Sequence, residues 1–206
     1  LAAMPENAYF NIWVPSCKSA LFVHTADAGN IIGSWTTIDN LLSNNNPHAM
    51  VSVTQNWNPG GTGGVYNNHP LGVWYTDSRW AVFNEDCAAM PEGASFNVSI
   101  PAVDASTFVH TARSTNTTGN WTYLDNPVLN GDPDAIAHVT QNWNPGDTVG
   151  CTNEHVIGVW YYDNISRWAI FNQDLAAMPE GASFNVSIPQ NDSATFVHEA
   201  TAGNIS

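Results

Sequence analysis

The groups in this chain that could do chemistry are its histidines, its paired carboxylates and a repeated tryptophan-bearing motif. His24, His110 and His198 each follow Phe-Val, and His69 and His155 also fall at matching places. Two imidazoles per copy could ligate a metal or relay a proton. The partners such chemistry needs are missing. No serine sits in a nucleophile-elbow context, no His-Glu-x-x-His occurs, and no acidic residue has triad spacing. A histidine on a strand or in a turn serves as a hydrogen-bonding group, so the two in each copy are expected to lie too far apart to share a ligand. The carboxylates Asp39/Asp125, Asp77/Asp163 and Asp86/Asp174 recur beside turns, where they cap backbone. Asp132-Pro133-Asp134 faces Asn46-Pro47-His48 in the other copy, which removes a shared calcium loop. The expectation is a protein with no catalytic residues, no metal and no cofactor.

The motif is Thr54-Gln55-Asn56-Trp57-Asn58-Pro59-Gly60, which returns unchanged at Thr140–Gly146, 86 residues later. An exposed indole among amides and an imidazole can hold a sugar by stacking and hydrogen bonds. The candidate glycan-binding residues are Gln55, Asn56, Asn58, His69 and Trp74, with Gln141, Asn142, Asn144, His155 and Trp160 in the second copy. The competing reading is that the rings fill a small two-layer core or an inter-unit contact. On that reading Trp57 and Trp143, which close strands begun by Val53 and Val139, are largely buried.

The elements that must position these groups are short strands. Phe96, Val98 and Ile100 alternate with Asn97 and Ser99, a period of two. Strands are expected at 21–26, 34–39, 50–57, 71–75, 80–84 and 94–100, with a hairpin tip where Thr76–Arg79 becomes Tyr162–Arg167 by a two-residue insertion. The only helical candidate is one turn at Ala88–Met90, stopped by Pro91. The chain therefore reads as all-β, with two tandem β-sandwich-like or open-barrel domains of about 85 residues. They are placed at 18–101 and 105–189. Residues 1–17 read as the last strand of a preceding or partner unit, and 190–206 as the first strand of a following one.

Phe-Val-His-Thr-Ala (22–26 and 108–112), Gln-Asn-Trp-Asn-Pro-Gly, Asn-Asn-His-Pro-Leu-Gly-Val-Trp-Tyr (67–75) and Arg-Trp-Ala-Ile-Phe-Asn-Gln-Asp (167–174) resemble a tandem domain of unknown function found in large secreted bacterial proteins. That resemblance implies repeat boundaries and an extracellular setting, and it carries no activity.

Composition sets the partners. Lys and Arg number 4 against 18 Asp and Glu, a net charge of −14, which repels phosphate backbones and anionic lipid. Nucleic acid and membrane insertion are not expected. Cys17, Cys87 and Cys151 do not align with one another, so they are read either as one pair plus a spare thiol, as a bond to a neighbouring chain, or as free small residues. Asn-x-Ser/Thr sequons stand at Asn97, Asn116, Asn120, Asn164, Asn185, Asn191 and Asn204, where a glycosylating source would attach sugar. The terminal segments carry apolar strands, Tyr9, Phe10, Ile12, Trp13 and Val14 at one end and Phe196, Val197 and His198 at the other. Each lacks the rest of its unit, so these residues are the expected assembly interface. The expected function is a structural subunit of an extracellular filament or surface assembly, polymerising head to tail through its terminal strands. A multivalent carbohydrate-binding adhesion module is the alternative.

Overall fold

The computed structural model describes residues 3–14, 20–189 and 194–205. The first unit contributes β2 (Ala20–Thr25), β3 (Ile31–Ile32), β4 (Trp35–Thr37), β5 (Ser52–Gln55), β6 (Leu71–Thr76), β7 (Arg79–Asn84) and β8 (Ser95–Ile100). The second repeats them as β9 (Thr107–Thr111), β10 (Thr117–Thr118), β11 (Trp121–Tyr123), β12 (His138–Asn142), β13 (Ile157–Tyr162), β14 (Arg167–Asn172) and β15 (Ser183–Ser187). Two strands stand outside these units, β1 (Tyr9–Val14) and β16 (Ala194–Glu199). The fold is all-β, with several sheets and no closed barrel.

Each unit is a two-layer sandwich. In the first, the sheet β2-β8-β5 faces the strands β3-β4-β7-β6, and Phe96, Val98, Val73, Trp80, Val82 and Ile38 fill the space between. The alternation seen in the sequence decides the faces: Phe96 and Val98 are fully buried while Asn97 is exposed. The second unit packs Phe184, Val186, Ile170, Trp168 and Leu124 in the same way. Trp80 and Trp168 anchor the cores. Each donates its indole N–H to a loop carbonyl, Asn46 at 3.0 Å and Asp132 at 2.9 Å, so a large ring is buried without stranding its donor. The hairpin tip is a two-residue turn, Asp77 (φ 47°) and Ser78 (φ 67°), between Thr76 and Arg79. Both central residues are left-handed, the conformation that matches strand twist. The two-residue insertion turns the equivalent tip into a 3-10 turn at Asp163–Ile165.

Three expectations are corrected. No helical turn forms at Ala88–Met90, because the Asn84 amide takes the Ala88 and Ala89 carbonyls and holds the segment extended. The strand expected over 50–57 stops at Gln55, so Trp57 leaves the sheet; it is 41% exposed and stacks on Tyr66 at 5.3 Å. The terminal strands are not separate orphans, since β1 and β16 pair with each other. Their register puts Phe10 opposite His198, just as Phe96 faces His24 and Phe184 faces His110. The two ends of the chain together rebuild one strand pair of a third unit.

Candidate functional site

The two aligned histidines of each unit bond to neighbouring side chains. The imidazole Nε2 of His24 meets Thr36 Oγ1 at 2.8 Å, and His110 meets Thr122 Oγ1 at the same distance, tying the two sheets of each unit. Burial lowers the pKa of His24 despite Asp27, and it lowers that of His110 to about 4, helped by Arg113. His69 Nδ1 contacts Asp86 Oδ2 at 2.6 Å and His155 contacts Asp174 at 2.7 Å. The two histidines of each unit thus serve different partners. Among the described residues no three His, Cys, Asp or Glu gather around a common point. Cys87 and Cys151 are free thiols, and Cys17 lies outside the described residues.

The motif gathers more. In unit 2 its strand keeps its place in its own sheet and also docks on unit 1. Strand β12 pairs antiparallel with β15 on one side and parallel with β6 on the other, Gln141 beside Gly72 and Asn142 beside Val73. This joins one layer of each unit into a seven-stranded sheet. The Trp143 N–H donates to the Val73 carbonyl at 2.9 Å. The Asn144 side chain then imitates a further strand residue. Its Oδ1 accepts from the Tyr75 N–H at 2.7 Å and its Nδ2 donates to the Tyr75 carbonyl at 2.8 Å. Asn142 donates to Asn185 Oδ1, whose own Nδ2 donates to the Val51 carbonyl, both at 2.8 Å.

Aromatic rings close the junction. Trp74 meets Trp35 at 5.1 Å and Trp143 at 5.7 Å, both edge to face. They line a cavity of about 220 Å³ with Phe83, Cys87 and Glu85. Glu85 is 2% exposed, and one of its oxygens receives the Asn153 N–H of unit 2 at 3.4 Å. Burial, opposed by that N–H and aided by Glu154, raises its carboxyl pKa to about 8. Sequence reasoning missed Glu85. Its counterpart in unit 2, Gln173, is exposed, so the repeat carried no signal of its burial.

The candidate glycan residues therefore separate. Gln141, Asn142 and Asn144 are buried; the first two bond to unit 2 and Asn144 bonds across to Tyr75, while Trp74 is half-covered by Trp143. Gln55, Asn56 and Asn58 belong to a motif that no other unit covers among the described residues; Asn56 Nδ2 donates to Asn97 Oδ1 and Asn58 Oδ1 accepts from the Gly63 N–H of its own loop. His155 is half-buried, and Trp160 is 37% exposed on the free face of unit 2. Among the sequons, Asn185 is fully buried and its amide is taken, which corrects its reading as an attachment site. Asn97, Asn164 and Asn204 are exposed, Asn116 and Asn120 are half-buried, and Asn191 lies outside the described residues.

A second cavity of about 590 Å³ lies where β1, the outer face of β2, β5 and β8, and β12 approach one another. Ser52, Ser99, His138 and Trp13 border it, and each presents a buried polar atom that makes no hydrogen bond.

A family model described as a domain of unknown function, DUF7452, matches three tandem regions, residues 1–100, 79–166 and 161–206. No curated protein and no solved structure matches the chain. No helix among the described residues is long and apolar enough to cross a membrane.

Proposed function

The chain belongs to the DUF7452 family of domains of unknown function, and we propose that it is a structural subunit of an extracellular filament or surface assembly. Copies join head to tail through their terminal strands. The observation that carries this reading is the β1–β16 pair. A two-stranded sheet is marginal by itself, and this one has an uncovered inner face: Phe10 is 39%, Val14 52% and Phe196 51% exposed. In the assembly the same six residue pairs that β1 and β16 make within one chain are made between β16 of one copy and β1 of the next. Exchange of an identical element adds copies without new contacts, and using two different surfaces leads to an open filament. The blend of uncharged polar and aromatic residues favours a secreted setting, and the net charge of −14 disfavours nucleic acid.

The test compares the full chain with one lacking residues 1–14 by negative-stain microscopy and sedimentation. Threads from the full chain that vanish on deletion are expected. A full chain that stays monomeric at every concentration sinks the proposal.

One observation favours carbohydrate binding as a second reading. Trp57 and Tyr66 stack at 28° and both are exposed, 41% and 55%, with Asn56 and Asn58 alongside. A glycan array scored against Trp57→Ala separates this site from assembly.

A further inference from the structure

The junction between the two units is half of a pattern that starts again at the far side of unit 2. Strand β12 fills the space between β15 and β6. One step further along the repeat, β1 takes the place of β15. It has the same register with its partner β16, and it makes the same anchoring contact: Asn11 Nδ2 donates to the Ala137 carbonyl as Asn185 Nδ2 does to Val51. Trp13 also rests on His138, with ring centres 5.5 Å apart. The counterpart of β6 is β13, which pairs with β14 just as β6 pairs with β7. Among the described residues β1 has only β16 beside it, and β13 is the edge of its sheet.

We propose that the open side shared by β1 and β13 is an acceptor slot for one extended strand bearing the Thr-Gln-Asn-Trp-Asn-Pro-Gly motif, donated by a further repeat unit. The strand runs antiparallel to β1 and parallel to β13. Three features of the chain then acquire partners together. The backbone groups of Val159 and Tyr161 occupy the ladder positions where Val73 and Tyr75 bond Trp143 and Asn144. Trp160 is already set edge to face on Trp121 at 5.8 Å, as Trp74 is on Trp35, and its exposed surface awaits an indole. The inner face of β1, with Phe10 and Ile12, receives the donor's apolar side chain, as Phe184 and Val186 receive Val139. One local difference bears on affinity. Tyr162 stands where unit 1 has Thr76, and it stacks on Trp160 at 5.0 Å, over the surface the donor indole needs.

Such a strand is recognised by backbone pairing plus a few side chains, the usual form of strand addition. The donor idea rests on the strand-joining reading above, yet it is tested on the monomer, so failure of filament formation leaves it open to its own result. The probe is a synthetic copy of residues 134–147 added to the full chain, with hydrogen exchange and calorimetry as readouts. Slowed exchange in both β1 and β13 is expected. Replacing the peptide's Trp or its second Asn by Ala is expected to weaken binding about tenfold each, the scale of a hot-spot contact. Tyr162→Thr is expected to bind at least as tightly as the parent. Protection of β13 alone, or equal binding of the Trp-to-Ala peptide, overturns the two-sided slot. Faster exchange in β1 and β16 overturns it too, since the donor would then have displaced that pair.

Discussion

Glu85→Gln is expected to stabilise the protein strongly at pH 8.5 and hardly at all near pH 4.5. Glu85 is 2% exposed, and burial is the first cause of a folded pKa of about 8, against 4.5 for the free side chain. Between those values the unfolded chain has released the proton while the folded chain retains it. By linkage, the contribution of Glu85 to stability is fully present at or below about pH 4.5 and is lost as pH rises toward 8. Each tenfold change in proton affinity is worth about 1.4 kcal/mol, so the fall amounts to about 5 kcal/mol at most. Gln keeps an oxygen for the Asn153 N–H and carries no charge at any pH. Urea unfolding of both proteins across pH 4.5–9 measures the effect, and parallel pH profiles for the two would refute it. Because Glu85 lies between the units, the strain of its ionisation falls on the junction.

How much of this was legible in the sequence follows from what repeats report. Alternation in Phe96–Ile100 placed the core faces, and the identity of the two motifs fixed the unit spacing. Identical letters could not reveal that the two motifs have different surroundings. Gln55–Asn58 and Gln141–Asn144 differ only in what stands next to them, and that is a long-range fact absent from any local pattern. The end strands show the same limit. Each was recognisable as a piece of a unit, and both carry the Phe and His that face each other in complete units. Their pairing depends on the chain returning to its start, which local pattern does not describe. Glu85 was hidden because an acid in a run ending Asn84-Glu85-Asp86 resembles a solvated turn. Only packing against unit 2 removes it from water.

The two copies of the motif make a controlled pair. Trp143→Ala is expected to cost about 3 kcal/mol, toward the low end for large aromatics because the ring is only partly buried. The loss includes its edge-to-face contact with Trp74 and the support of the parallel β6–β12 pairing. Trp57→Ala, at the identical sequence position, is expected to cost no more than about 1 kcal/mol, since its ring is 41% exposed and touches Tyr66. Asn144→Ala leaves the Tyr75 N–H and carbonyl without partners and is expected to cost about 2 kcal/mol, while Asn58→Ala loses one exposed loop bond. Denaturant unfolding of the four variants reads the contrast directly. Equal losses at Trp57 and Trp143 would mean that the motif stabilises each unit from within, and the junction would then contribute little. Unequal losses place the motif's value in joining units, which is the property an assembling repeat requires. On that account Trp57 is a joint still unfilled, and a partner that covers it should raise the cost of Trp57→Ala toward that of Trp143→Ala.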